Sequence, residues 1–332
     1  MKKQSCGSCG SAVYFENSAC LHCGTHLAYL RSSRSIVATD SRGQYTDPAG
    51  AVWRRCANSA LSGCNWLAPE SGSQCFSCGL TRTRPNDSDA KGLSQFAAAE
   101  QAKRRLVAEL DELGLPIVSR TDNPDGGLAF DLLSSVNEKV LIGHADGVIT
   151  INLAESDDAY RERMRADLDE PYRTMLGHFR HEVGHYFETV LVFGDAERTR
   201  AARELFGDDT KDYQAEIDRH YSEGPPEDWN ERFISKYATM HPYEDFAESF
   251  AHYLHIWDTL ETAREFGLVP TTNRDPSFRA LVETEWLPLA IALNQVNRSM
   301  GKDELYPFVL TGAVIDKLEF IHRLRLSATA AA

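Results

Sequence analysis

The chain has 332 residues, of which 42% are hydrophobic and 25% charged, and a formal net charge of −14. This length accommodates one large domain plus a smaller one, and the composition is that of a globular protein rather than a fibrous or disordered one. No apolar run approaches the ~18 residues that span a bilayer, and Met1 to Gly10 carries two lysines without an apolar stretch, so neither a membrane segment nor a secretory signal is expected and the address reads as cytoplasmic.

All eight cysteines lie between Cys6 and Cys78. Cys6, Cys9, Cys20 and Cys23 form two CxxC pairs, and Cys56, Cys64, Cys75 and Cys78 form a second, looser set. Cytosolic thiols stay reduced. Each set then offers four thiolates, which matches a closed tetrahedral structural zinc site. A redox reading of the CxxC pairs needs a βαβ context that the surrounding sequence lacks. Gly10, Gly24 and Gly79 follow the second cysteine of three pairs, where tight turns are expected.

Charge is unevenly spread. Residues 1–93 hold ten Lys/Arg against six acids, leaving 25 bases against 43 acids in the remainder. A zinc held by four thiolates carries a formal 2−, so two such centres cancel the excess of the N-terminal part. A basic nucleic-acid surface is therefore not supported.

Residues 1–92 are rich in Ser, Gly, Arg and Cys and poor in aliphatic side chains. They read as a zinc-ribbon region, with modules at about 1–30 and 51–85, that depends on metal because it can bury little core. Arg82 to Gly92 reads as a linker, and 93–332 as the larger domain. Helical periodicity runs from Leu93 to Leu113 and ends at Gly114 and Pro116. Strands are expected at Ala129–Leu133, Lys139–Gly143 and Gly147–Leu153, with Asp146-Gly147 as the turn between the last two. Long helices are expected over Pro171–Val190, with Pro171 in its first position, Tyr243–Phe266 and Ser277–Met300, and a frayed end at Ala328–Ala332. A short sheet first and long helices afterwards predict an α+β fold.

His181-Glu182-Val183-Gly184-His185 is an HExxH sequence inside the first of those long helices. Histidines at i and i+4 share a face and can bind one zinc, while Glu182, pointing aside, is placed as general base toward a water that the metal acidifies. The motif is short enough to arise by chance, so its context decides. A catalytic zinc needs a third protein ligand and an open position. The metzincin extension fails, since Glu188 and Leu191 stand where Gly and His are required. Glu244, Glu248 and His252 instead fall at i, i+4 and i+8 on a later helix. Glu244 is read as the third ligand. Glu248 accepts an N–H from a ligand histidine, with His252 beyond it around the site. Glu244 has Tyr237 seven residues upstream, and Glu248 has His241 there. Tyr237 could aim a phenol at a developing oxyanion; His241, Tyr221 and His220 are alternative donors.

HEVGH, followed 59 residues later by the glutamate of EDFAE, resembles gluzincin-type zincins, among them the catalytic domain of anthrax lethal factor. That resemblance implies a zincin-like fold, a catalytic zinc beside the two structural ones, and oxyanion stabilisation by Tyr237. By analogy it also gives strand Gly147–Leu153 the role of receiving an extended substrate. The stretch His241 to Ala263, together with the two cysteine sets, is similar to a bacterial family of zinc-binding metallopeptidases with an N-terminal zinc ribbon.

The expected activity is zinc-dependent hydrolysis of a peptide or protein substrate. The expected partners include a protein bound through the ribbons, and exclude nucleic acid and membrane. Two other readings stand beside it: a ribbon-bearing adaptor that keeps a zincin fold as a scaffold, and a protease associated with nucleic acid.

Overall fold

The structure is a computed structural model that describes residues 2–136, 140–167, 170, 172–270 and 277–331. The chain forms two compact units, one of Met1–Leu113 with Ile117–Met164 and one of Gly114–Pro116 with Arg165–Ala332.

In the first unit, strands β1 (Gln4–Ser5) and β2 (Ala12–Val13) pair antiparallel, as do β3 (Leu27–Leu30) and β4 (Ser35–Ala38). Strands β5 (Gln44–Thr46), β6 (Val52–Arg55) and β7 (Leu67–Ala68) form an antiparallel sheet of three. The fourth sheet joins β8 (Thr81–Thr83), β9 (Ala129–Leu133), β10 (Gly143–Ala145) and β11 (Val148–Asn152) in the order β10-β11-β9-β8. In it β9 runs parallel to both neighbours and β10 antiparallel to β11.

Two expectations are corrected here. The metal-rich region does have a core: Tyr29 lies 4.7 Å from Trp66 and 4.9 Å from Phe15, ring centre to centre, and Ala28, Leu30 and Leu67 form a buried aliphatic cluster. Aromatic rings bury large areas, so three of them add much to the few aliphatic residues. The expected linker, in turn, opens as strand β8 before the helix Ala90–Leu113 begins. Arg82 forms a two-pronged ion pair with Asp131 of β9. The breakers Pro85, Asn86 and Asp87 occupy only the short turn between them.

Strand β9 matches its expected bounds, and Asp146 (φ 48°) with Gly147 (φ 80°) makes the left-handed turn between β10 and β11. The middle strand lies later than the Lys139–Gly143 expected; Val140, Leu141 and Ile142 are not in a strand, and Lys139 lies outside the described residues. Of the residues whose spacing predicts the helix, Phe96, Leu106, Leu110 and Leu113 are buried along Ala90–Leu113, and Leu93 and Ala97 are half-buried.

The second unit is helical. The HExxH helix spans Met175–Leu191 and starts at Thr174, whose hydroxyl accepts the Gly177 N–H at 2.9 Å; Pro171 lies outside the described residues. The helix carrying Glu244 spans Pro242–Glu265. Helices at Ala196–Phe206 and Tyr213–Glu223, capped by Asp195 and Asp212, lie between them. The expected helix Ser277–Met300 is interrupted by a wider π turn at Val282–Trp286, and the last helix, Gly312–Ala331, includes the alanines expected to fray as far as Ala331, Ala332 lying outside the described residues. Ala is the best helix former, so that tail costs little to keep helical.

The HExxH and Glu244 helices pack face to face. Phe187 stacks on Phe250 with centres 5.4 Å apart, and Phe179, Val183, Phe246 and Leu254 are fully buried. The close approach occurs at Gly184, where a Cβ would stand 2.9 Å from Ala247 Cα and 3.1 Å from its carbonyl oxygen. Glycine in the HEVGH motif thus sets how near the two helices lie.

Candidate metal centres

His181 and His185 project from one face of the HExxH helix, and Glu244, in the first turn of its own helix, meets them. Glu244 Oε2 lies 3.0 Å from His181 Nε2 and 3.5 Å from His185 Nε2. Ligands around a tetrahedral zinc at ~2.0–2.1 Å stand about 3.3 Å apart, so these atoms already have the spacing of a metal's coordination shell. All three residues are largely buried, Glu244 most deeply at 2% exposure. Burial opposes the Glu244 charge, but the two imidazoles outweigh it and hold the carboxyl well below its ordinary range.

Around this trio the structure supplies orientation. The Nδ1–H of His181 donates to Glu248 Oε1 at 2.8 Å, and Ser235 Oγ donates to Glu248 Oε2 at 2.7 Å. Burial opposes ionisation of Glu248, yet these donors and the charge of His181 bring its carboxyl down to about 2. Tyr243 stacks on His185 with ring centres 3.8 Å apart. Tyr213 donates its hydroxyl to Glu244 Oε1 at 2.6 Å.

Glu182 is 7% exposed, and its Oε2 has no hydrogen-bond partner among the described residues. Burial raises its carboxyl pKa, partly offset by the two histidines. A buried carboxylate oxygen without a partner beside three converging ligand atoms fits a site built to hold a metal and a water. Tyr237 lies at the same place, its ring centre 5.7 Å from that of His181.

The histidines among the alternative donors bond to other groups. His241 caps the Glu244 helix, accepting the Tyr243 N–H on Nδ1 at 3.1 Å while Nε2 faces the Lys211 carbonyl at 3.2 Å. His220 bonds Thr239 Oγ1, and Tyr221 is exposed. His252 pairs with the Tyr306 hydroxyl at 2.8 Å rather than with a candidate ligand, and His255 pairs with Arg180 at 2.6 Å.

Sequence reasoning missed Tyr213, Tyr243 and Ser235. Tyr213 belongs to no motif and lies 31 residues before Glu244, so nothing in its neighbourhood marks it. Tyr243 lies in the first turn beside Glu244 and could be found by asking which side chains share that turn, whereas Ser235 lies seven residues before the helix and carries no such signal.

Both cysteine sets converge in the first unit. Cys6 Sγ lies 3.8 Å from Cys23 Sγ, Cys9 Sγ lies 3.7 Å from Cys20 Sγ, and Cys64 Sγ lies 3.6 Å from Cys75 Sγ. Four sulfurs around zinc at ~2.3 Å stand about 3.8 Å apart, whereas a disulfide would need ~2.0 Å. The geometry therefore fits zinc. Gly10 and Gly24 adopt φ of 73° in their turns, but Gly79 does not take a left-handed turn and closes a short helix, Phe76–Gly79. The second set is fully buried, and the Asn58 and Cys75 N–H groups donate to Cys56 Sγ at 3.4 and 3.2 Å.

Residues 92–324 match the family described as "Putative zinc-binding metallo-peptidase", and residues 3–89 match a zinc-ribbon domain. The chain belongs to that metallopeptidase family. It is 51% identical over 332 residues to Uncharacterized protein Mb2598c of Mycobacterium bovis and, equally, to Uncharacterized protein Rv2568c of Mycobacterium tuberculosis, covering 97% of this chain and 94% of each relative. No solved structure matches it. At the family level the chain is a zinc-binding metallopeptidase, with a zinc-ribbon match at its N-terminus ahead of the peptidase match. No helix among the described residues is long and apolar enough to cross a membrane.

Proposed function

We propose that this metallopeptidase is a zincin-type hydrolase of peptide bonds, with a catalytic zinc held by His181, His185 and Glu244 and a structural zinc in each cysteine set. The observation that carries this reading is the convergence of His181 Nε2, His185 Nε2 and Glu244 Oε2 next to the partnerless Glu182 oxygen. When bound, zinc supplies Lewis acidity, bringing the pKa of water toward ~7. Glu182 takes the proton released as water attacks and passes it to the leaving amine; burial raises its basicity for that task. Tyr237 donates its hydroxyl to the oxygen on which negative charge develops. Glu248 fixes the His181 ring so that Nε2 faces the metal.

Residues 1–92 act as a ribbon region that engages a protein partner, and 93–332 as the peptidase domain; the two family matches divide at this point. Eight cysteines arranged as two metal-ligand sets support a cytoplasmic address, where thiols stay reduced. A ribbon-bearing scaffold would have no need for the buried base, so the retained Glu182 supports an enzyme.

The test is cleavage of a quenched fluorescent peptide library by the full chain. Hydrolysis that stops on chelation and returns with zinc supports the reading. A chain loaded with three zincs that cleaves no peptide overturns it.

A further inference from the structure

We propose that Tyr213 is a positioning residue of the metal centre, whose hydrogen bond reserves Oε1 of Glu244 and leaves Oε2 alone to face the metal. This inference rests on the zinc site proposed above. A carboxylate can bind a divalent cation through one oxygen or through both. The second mode fills a further coordination position, and hydrolytic chemistry needs that position open.

The two oxygens of Glu244 are already distinguished. Oε2 stands between the two imidazole nitrogens, while Oε1 accepts the Tyr213 hydroxyl at 2.6 Å. That length is typical of an O–H donor on an ionised carboxylate, roughly twice as strong as a neutral pair. An ionised carboxylate oxygen can only accept, so the Tyr213 hydroxyl is the donor in this bond.

Tyr213 is held in place for this contact. It is the first residue of the helix Tyr213–Glu223, and the Asp212 side chain caps that helix by accepting the Ala215 N–H at 2.8 Å. Its ring lies edge-on to His241, 5.3 Å between centres, and His241 caps the helix that supplies Glu244. No residue of the Tyr213 helix is buried. Besides the Tyr213 bond, side-chain contacts of Arg219 and His220 tie it to Thr239. Tyr213 itself is 42% exposed, so its hydroxyl serves the metal site rather than a core.

The test uses the full chain with its third metal site emptied and refilled with cobalt(II), the ribbon zincs kept and counted by native mass spectrometry. Wild type should show the intense visible band of four-coordinate cobalt. Tyr213→Phe should lose that band as Oε1 joins the metal, and its zinc affinity should change by about 10-fold or more, as for other residues that orient a ligand. Tyr221→Phe, on the same helix but exposed, is the control and should match wild type. Complete loss of the third metal from Tyr213→Phe with an unchanged circular dichroism spectrum also supports the proposal. A wild-type band and affinity in Tyr213→Phe overturn it. A wild-type chain that takes up no third metal overturns the zinc site itself, independently of Tyr213.

Discussion

The Nδ1–H of His181 is bound to Glu248 Oε1 at 2.8 Å, and this bond decides which nitrogen of the ring is left for a metal. Four residues separate Glu244 from Glu248, so the same helix face supplies one carboxylate to the Nε2 side of His181 and another to its Nδ1 side. Removing each should therefore have different consequences. Glu244→Ala should lower zinc content from three to two per chain, and Glu248→Ala should keep the third zinc with affinity weakened roughly 10–100-fold. Metal analysis with competition titration checks this, and an empty third site in Glu248→Ala but not in Glu244→Ala reverses the assignment.

Glu182→Gln should keep all metal and lose hydrolysis. The amide preserves size and removes the base, so kcat should fall by about 10² or more at similar KM. Turnover near wild type in this variant would remove Glu182 from the mechanism.

Gly184→Ala sets two effects against each other. Ala is favoured over Gly inside a helix by ~1 kcal/mol. Its Cβ, however, would sit 2.9 Å from Ala247 Cα, where the obstacle is backbone and cannot rotate away. Overpacking of this kind costs about 1–3 kcal/mol, so a net loss of stability is expected, together with a weakened third metal site as the Glu244 helix is pushed aside. A melting temperature equal to or above wild type contradicts this.

Lys317 and Asp245 form a buried ion pair at 2.6 Å. Burial pushes the Asp245 carboxyl up to about 7 despite the lysine. A folded-state value above the unfolded ~3.9 means that this group favours folding most at low pH, and that its contribution is lost as pH rises through 7. The ion pair matters only where Asp245 is ionised. Lys317→Met should therefore cost about 3 kcal/mol at pH 8 and clearly less at pH 5, measured by denaturant titration. Equal losses at both values would show that Asp245 does not titrate there.

The two ribbon sites should release zinc at different rates. Cys9 and Cys23 of the first set are exposed, whereas all four cysteines of the second are buried. A colorimetric chelator should give a fast phase that disappears in Cys9→Ser and a slow phase that persists. A single phase for both ribbon equivalents, measured in Glu244→Ala to leave out the third zinc, would contradict the difference in exposure.

The convergence of the candidate metal ligands is in part local and was to that extent legible in the chain. Histidines at i and i+4 share a helix face whatever surrounds them, and close-set cysteine pairs bring sulfurs together through short turns at Gly10 and Gly24. The strand Ala129–Leu133 and the turn at Asp146-Gly147 follow from period and from left-handed backbone preference in the same way. The aromatic core of Phe15, Tyr29 and Trp66 was not legible, because three rings scattered over fifty residues carry no period. Nor was strand β8, whose partner β9 lies almost fifty residues away. The pairing of Tyr213 with Glu244 depends on where a capped helix with no buried face comes to lie, and the use of His241 as a helix cap depends on backbone geometry at Tyr243. Residues on one turn of one helix meet by covalent geometry; residues from different helices meet only when packing, here the contact of Gly184 with Ala247, brings their elements together.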